Sequence, residues 1–423
     1  MTEYIFLIDC DNFFVSCERL FRPDLQKKPV LVLSSNDGCV ISRSQEVKNL
    51  GIGMGEPYFK IRDLCEKNTV FLFSTNFELY RDISARVMSV LRRFSDTVEV
   101  YSVDEAFLTF SVSQNAEAIL LEKAKEVRFA VMREIGVPVS VGVAVTKTLA
   151  KVATHFAKPK HSTNGCFVLV DTDLIHESLK KLEIGDVWGI GRRLASKLAK
   201  AGVHTAFDFY SKTYPWIQAQ TSILGVRTAR ELHGVRQLAV GEDAELRKSL
   251  LHSQSFGSAV HCLIDLQTSV AYHARKVAEI LRKEGALARE VSIFLYRKCT
   301  NGKREKVLGS EILGTYTNST LIIVATTLTV LARLYVPEHS YTKAGVYVKS
   351  IVPEGGQPRS TLFGEYTNTH QEIMTAVDDL RSRYGDVIHT GLETRASKSQ
   401  AHSNHLSPRR TTRWGEVLHI GLT

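Results

Sequence analysis

The chain has 423 residues, 44% of them hydrophobic and 23% charged, an ordinary globular composition that excludes a mostly disordered or fibrous protein. That length exceeds one compact core and predicts roughly two to four domains. Lys and Arg number 54 against 45 Asp and Glu, a formal +9, which leans toward a polyanionic partner without naming one. The longest apolar stretch, Leu321 to Ala332, is broken by three threonines and is too short to span a bilayer. Glu3, Asp9 and Asp11 interrupt what would be the apolar region of a leader. Seven cysteines with no C-x-x-C pair fit buried free thiols in a reducing cytosol better than a disulfide scaffold. The expectation is a soluble, cytoplasmic, multidomain protein.

Tyr4–Ile8 is a continuous apolar run, the pattern of a strand buried on both faces. It ends in Asp9-Cys10-Asp11, either a cap for the helical-looking segment Asn12–Glu18 or carboxylates placed for chemistry. Pro29–Leu33 reads as a strand and Ser34–Gly38 as a turn-rich loop. Val40–Lys48 then reads as a strand edge entering a helix. Ser42, Gln45 and Lys48 recur every three residues, so they can share one helix face, suiting a triphosphate or simply solvent. Thr97–Phe110 reads as a β-hairpin with Asp104 and Glu105 at its turn. Three carboxylates converging from strand and hairpin repel one another unless cations lie between them. Hard oxygen donors suit Mg²⁺, and two such ions about 4 Å apart form a phosphoryl-transfer clamp.

Val139–Val145 alternates small and β-branched residues, a strand passing close to another backbone. The acid-free helix that follows ends at Lys158, where a cation also complements the helix dipole. After Asp171 the pattern shifts to short helices. Gly189-Ile190-Gly191 with Arg192, Arg193, Lys197 and Lys200 has the look of a helix-hairpin-helix, exposing N–H groups to a DNA phosphate. From Leu246 to Val352 strands and helices alternate again, with ten Lys or Arg against four Glu between Tyr272 and Leu308. This suggests an α+β module with a basic sheet, or merely a solvated face. Gly355–Pro358 marks a linker and Thr369–Tyr384 a helix. Arg395–Arg413, with five cations and no acid, reads as a mobile basic tail.

Ile8–Phe14, Asn36–Ile41, Tyr101–Ala106, Thr146–Lys151, Val187–Gly191 and Ser407–Arg413 together resemble the Y-family translesion DNA polymerases. Within that family the chain resembles the UmuC type, the catalytic subunit of bacterial DNA polymerase V and its plasmid-borne relatives. The resemblance covers essentially the whole chain. It implies an α+β multidomain right-hand polymerase with a ferredoxin-like palm (1–10 and 76–170) and small fingers (11–75). A helical helix-hairpin-helix thumb (171–237), an α+β little finger (246–352) and a C-terminal partner-binding tail (353–423) complete it.

By the same resemblance Asp9, Asp104 and Glu105 are the catalytic, metal-binding carboxylates, with the Cys10 carbonyl as a further ligand of two Mg²⁺ ions. Asn12, Phe13, Phe14, Ser42, Gln45, Lys48 and Lys158 contact the nucleotide, Phe14 as a steric gate against the ribose 2′-hydroxyl. Gln45 and Lys48 depart from the tyrosine and arginine that many members carry. Gly189, Gly191, Arg192, Arg193 and Lys197 face DNA. Leu362 and Phe363 keep only the apolar end of a clamp-docking peptide. Implied partners are primer-template DNA, dNTP, a UmuD-type accessory dimer, RecA and the β sliding clamp. The implied activity is error-prone synthesis across damaged template in an SOS-type response. A nucleotidyl cyclase shares the strand-and-hairpin carboxylates but needs neither the hairpin thumb nor the basic module. A catalytically silent DNA-damage scaffold would not need the carboxylates.

Overall fold

The computed structural model describes all residues except 1, 113–115, 160, 162, 242–246, 356–359, 362–363, 366–369, 385–387, 390, 393–402 and 418–423. The chain forms two compact units, Met1–Ser34 with Gly38–Asp243 and His405–Thr423, and Ser35–Asp37 with Ala244–Asn404.

In chain order the first unit contains β1 (Thr2–Cys10), α1 (Phe13–Leu20), β2 (Val30–Leu33), β3 (Val40–Arg43), α2 (Gln45–Asn49), α3 (Tyr58–Lys67) and β4 (Phe71–Ser74). Next come α4 (Phe77–Leu91), β5 (Val98–Val100), β6 (Glu105–Val112), α5 (Ala116–Glu134), β7 (Val139–Ala144), α6 (Lys147–Ala157) and β8 (Cys166–Leu169). Five short helices follow: α7 (Thr172–Lys181), α8 (Arg192–Lys200), α9 (Ala206–Tyr210), α10 (Tyr214–Gln220) and α11 (Ile223–Leu232). The main sheet runs β5-β6-β1-β7-β8, and a smaller one runs β3-β2-β4.

β1 is central and buried on both faces, as its apolar run predicts. Phe6, Ile8 and Cys10 join the core made with α4 and α5, while Ile5 and Leu7 join the core made with α6 and the short helices. The strand period of two assigns these faces. The small residues of β7 let α6 cross closely. A Cβ on Gly142 would stand 2.2 Å from the Thr154 amide nitrogen and 2.6 Å from the Ala150 carbonyl oxygen. Thr146 caps α6, its hydroxyl accepting from the Leu149 N–H, and the helix stops at Lys158, which is extended ahead of Pro159.

The second unit holds β9 (Ser249–Val260), α12 (Leu263–Lys283), β10 (Ala286–Lys298), β11 (Arg304–Thr317), α13 (Thr320–Leu334), β12 (Ser340–Lys349) and α14 (Gln371–Tyr384). Its antiparallel sheet runs β11-β10-β12-β9. Val291, Ile293 and Leu295 of β10 share one core with α12 and α13. Phe294 and Tyr296 alternate to the other face, where Lys306 lies 4.8 Å from the Phe294 ring centre. The basic excess of this segment is smaller than its count suggests. Arg275 is buried against Glu279 at 2.7 Å, Arg282 pairs with Asp378 at 2.6 Å and Arg297 with Glu305 at 2.6 Å. A count along the chain does not separate helix cations from those on the sheet.

Residues 403–413 correct the expectation of a mobile basic tail, whose first part, 395–402, lies outside the described residues. The Ser74 N–H donates to the His405 carbonyl, and Arg409 and Arg413 pair with Glu78 at 2.9 and 3.7 Å. Glu78 lies far away in sequence, and Glu416, 4.0 Å from both arginines, lies just past the acid-free stretch, so the local pattern looked uncompensated. All seven cysteines are free, four of them buried, while Cys262 is exposed and Cys39 and Cys299 are half-buried. Among the described residues no helix is long and apolar enough to cross a membrane. Leu362 and Phe363 lie outside the described residues.

Candidate active site

Where β1 ends, one cavity of about 470 Å³ gathers Asp9, Cys10, Asn12, Phe13, Phe14, Ile41, Ser42, Arg43, Lys48, Met54, Ser102, Asp104, Glu105 and Lys158. Asp9 and Glu105 are directly opposed partners of β1 and β6, so their side chains share a face. The hairpin turn is tied to β1 by the Cys10 N–H, which donates to the Asp104 carbonyl at 2.8 Å. Asp104 accepts from the Ser102 hydroxyl at 2.6 Å. The repulsion expected among these acids is met by lysines of the α6 segment: Lys158 lies 3.0 Å from Asp9 and Lys151 3.0 Å from Glu105. Burial pushes the Asp9 carboxyl up to about 7; Lys158 opposes that shift, and Glu105 and Asp104 add to it.

Asp11 goes elsewhere. It is buried, accepts from the Ser140 hydroxyl at 2.8 Å and does not line the cavity, so of the two acids closing β1 one is structural. The donor set of Asp9, Asp104, Glu105 and the Cys10 carbonyl is hard oxygen throughout, the chemistry Mg²⁺ takes. Among the described residues no three acid, histidine or cysteine side chains stand close enough together to hold a metal ion.

The cavity also carries Lys48 and Arg43 beside Lys158. Lys48 is held by Asn12, whose side-chain oxygen accepts at 2.6 Å; Asn12 itself adopts a left-handed conformation with φ +48°, which asparagine tolerates. Burial lowers the Lys48 pKa, and the charges of Lys158 and Arg43 lower it further. Three cations that repel one another around a cavity form a site for a polyanion. Arg43, Ser102, Lys151 and Met54 are additions to the residues named from sequence. Ser102 lies in the Tyr101–Ala106 motif and Lys151 in the Thr146–Lys151 one, and Arg43 stands beside Ser42, but Met54 gave no sign.

The shared helix face of Ser42, Gln45 and Lys48 does not form. Ser42 lies on β3, Ser44 caps α2 and its hydroxyl accepts from the Val47 N–H. Gln45 is exposed, donates to Asn49 at 3.0 Å and is absent from the cavity lining, whereas Ser42 and Lys48 both reach it. Phe13 is buried in the core, and Phe14 lines the cavity with its ring stacked on Tyr80 at 4.6 Å and 14°.

In the short-helix region Gly189 has φ +88°, a conformation that costs glycine nothing, and Gly191 caps α8. Arg192 and Arg193 are exposed in the first turn of α8, which has no acid. Cations at a helix N-terminus oppose its dipole, an arrangement that an arriving phosphate relieves. Lys197 instead donates to the Gln220 carbonyl at 2.6 Å.

The impB/mucB/samB family matches residues 8–155, and its C-terminal domain matches residues 247–361. The chain belongs to this family. It is 34% identical to Protein UmuC of Salmonella typhimurium over 98% of this chain and 99% of that protein. It is 31% identical to Protein MucB of Escherichia coli over 97% and 98%. DNA polymerase IV of Dehalococcoides mccartyi is 29% identical over 73% of this chain and 77% of that protein. The fold is that of the Y-family polymerases. A Y-family DNA polymerase chimera of Dbh and Dpo4 superposes with a TM-score of 0.67, 21% identity and coverage of 83% of this chain and 99% of that one. In this UmuC-type chain, residues 8–155 carry every residue of the cavity except Lys158. Residues 371–420 match a domain of unknown function, DUF4113, which includes the segment docked on Ser74 and Glu78.

Proposed function

We propose that the cavity at the end of β1 is the nucleotidyl-transfer site of a translesion DNA polymerase acting in SOS-type damage tolerance. The observation that carries this reading is one cavity that brings Asp9, Asp104 and Glu105 together with Lys48, Arg43 and Lys158, the last 3.0 Å from Asp9. The cations hold the triphosphate and Ser42 adds a hydroxyl. Phe14, without a hydroxyl of its own, occupies the space a ribose 2′-oxygen would need. Asp9, Asp104, Glu105 and the Cys10 carbonyl would hold two Mg²⁺ ions. Bound there, Mg²⁺ supplies a lowered pKa for the primer 3′-hydroxyl and charge compensation for the departing pyrophosphate. Lys158 and Lys151, 3.0 Å from Asp9 and Glu105, would add positive charge beside the phosphates.

Residues 1–10 and 76–170 are the palm in this reading, 11–75 the fingers, 171–237 the thumb and 246–352 the little finger. Arg192, Arg193 and the N-terminus of α8 bind the duplex backbone irrespective of sequence. A UmuD-type dimer, RecA and the sliding clamp are the proposed partners, with Leu362 and Phe363 as the clamp-docking pair. Primer extension with Mg²⁺ on intact and abasic templates tests the reading. Asp104→Ala and Glu105→Ala should each keep DNA binding yet slow incorporation by roughly a hundredfold or more, the equivalent of losing several kcal/mol of barrier stabilisation. Wild-type rates in either variant would overturn it.

A further inference from the structure

The first turn of α4 has two occupied sides. On one, Phe77 meets the Phe14 ring edge-on at 6.0 Å and Tyr80 stacks beneath it at 4.6 Å. On the other lies the chain's C-terminal segment. The Asn76 amide donates to the carbonyl and hydroxyl of Ser407, both at 3.0 Å, while Arg409 and the Thr412 hydroxyl reach Glu78 at 2.9 and 3.0 Å. A single buried carboxylate joins the two sides. Glu18 accepts from the Tyr80 hydroxyl at 2.6 Å and from the Ser407 hydroxyl at 2.9 Å through the same oxygen. Tyr80 is 1% and Glu18 3% exposed, so water does not replace either bond cheaply.

A steric gate discriminates only while its ring is held from behind, because exclusion by a movable side chain relaxes. The backing of Phe14 is Tyr80, and Tyr80 is fixed by Glu18, which the C-terminal segment holds in turn. We propose that residues 405–413 are a strap that sets sugar selection at a distance, with Ser407, Glu18 and Tyr80 as positioning residues for the Phe14 ring. The inference rests on reading Phe14 as the sugar gate. It gives the C-terminal part of the DUF4113 region a specific task, stiffening the nucleotide pocket from outside it.

The test measures kcat/KM for a deoxynucleotide and its ribonucleotide with the full-length protein. Ser407→Ala removes one donor to Glu18 and should raise the ribose-to-deoxyribose ratio roughly fivefold, the equivalent of one net hydrogen bond. Deoxynucleotide incorporation should stay within about twofold of wild type. Tyr80→Phe, which keeps the ring and loses the hydroxyl, should act in the same direction. Glu18→Ala should match or exceed Ser407→Ala, and Glu18→Gln, which keeps an accepting oxygen, should restore the wild-type ratio. A merely structural strap would lower both substrates together and leave their ratio alone. Phe14→Ala separates the two layers of the reading. If it leaves sugar preference unchanged, the gate itself is wrong. If it relaxes preference by orders of magnitude while Ser407→Ala, Tyr80→Phe and Glu18→Ala do not shift the ratio, the gate stands and the strap is overturned.

Discussion

Glu18 sits among Tyr80, Ser407 and the more distant charge of Arg410, and burial pushes its carboxyl up to about 7 despite the hydrogen bonds and charge that oppose the shift. Below the unfolded value near 4.5 both states are protonated and the site is silent. As pH rises toward 7 the unfolded chain ionises first, so stability falls, and above 7 the loss is complete. Glu18→Gln keeps the accepting oxygen but cannot ionise. Relative to wild type, it should gain on the order of 2–3 kcal/mol in the first unit between pH 5 and pH 8. Urea melts of both proteins at the two pH values measure this, and an equal difference at both would reject it. At this scale the sequence was most legible where a residue belongs to a contiguous motif, as with Asp9, Asp104, Glu105 and Phe14 in their shared cavity. Glu18 gave no sign, because its partners lie 62 and 389 positions away.

Helix α6 shows how elements position the site. It presents Lys151 and Lys158 to the carboxylates only because it crosses β7 at Gly142, where helix and strand backbones nearly touch. The alternating small residues of Val139–Val145 made that approach readable in advance. The other anchor was not readable. Glu231 of α11 is fully buried and accepts from the Thr148 amide and hydroxyl and from the Gln237 and Leu238 amides, all between 2.9 and 3.0 Å. A lone glutamate in a helical pattern reads as a surface residue. Gly142→Ala should drive α6 off the sheet at a cost of roughly 2–3 kcal/mol or more, since the clash is with backbone rather than a movable side chain. It should also lower nucleotide incorporation by displacing both lysines. A melt and an extension assay on the same preparation check the pair of effects, and a stable, fully active variant would contradict the close crossing.

At the scale of the whole molecule the chain leaves its first unit at Asp243, builds a second, and returns at His405. Periodicity supplied β1, β2, β7 and the hairpin of β5 and β6, but α3, β4, α4 and α5 went unread. The return was missed as well, because a segment with five cations and no acid resembles a free tail until its distant partners are known. The returning segment covers a cavity of about 270 Å³ lined by Phe21, Leu72, Phe73 and Leu79 along with Glu18, and its backbone pairs with Ser74. A chain ending at residue 404 should therefore lose protection locally. Amide exchange should speed up in residues 71–80, where β4 and the first turn of α4 lose a strand-like neighbour and two charged partners. Residues 263–283 of α12 belong to the other unit and should exchange as before. The unfolding midpoint of the first unit should fall by several degrees, since each kcal/mol lost corresponds to about 2–4 °C in a domain of this size. Hydrogen exchange read by mass spectrometry distinguishes the outcomes. Faster exchange in α12 with residues 71–80 unaffected would assign the C-terminal segment to the second unit instead.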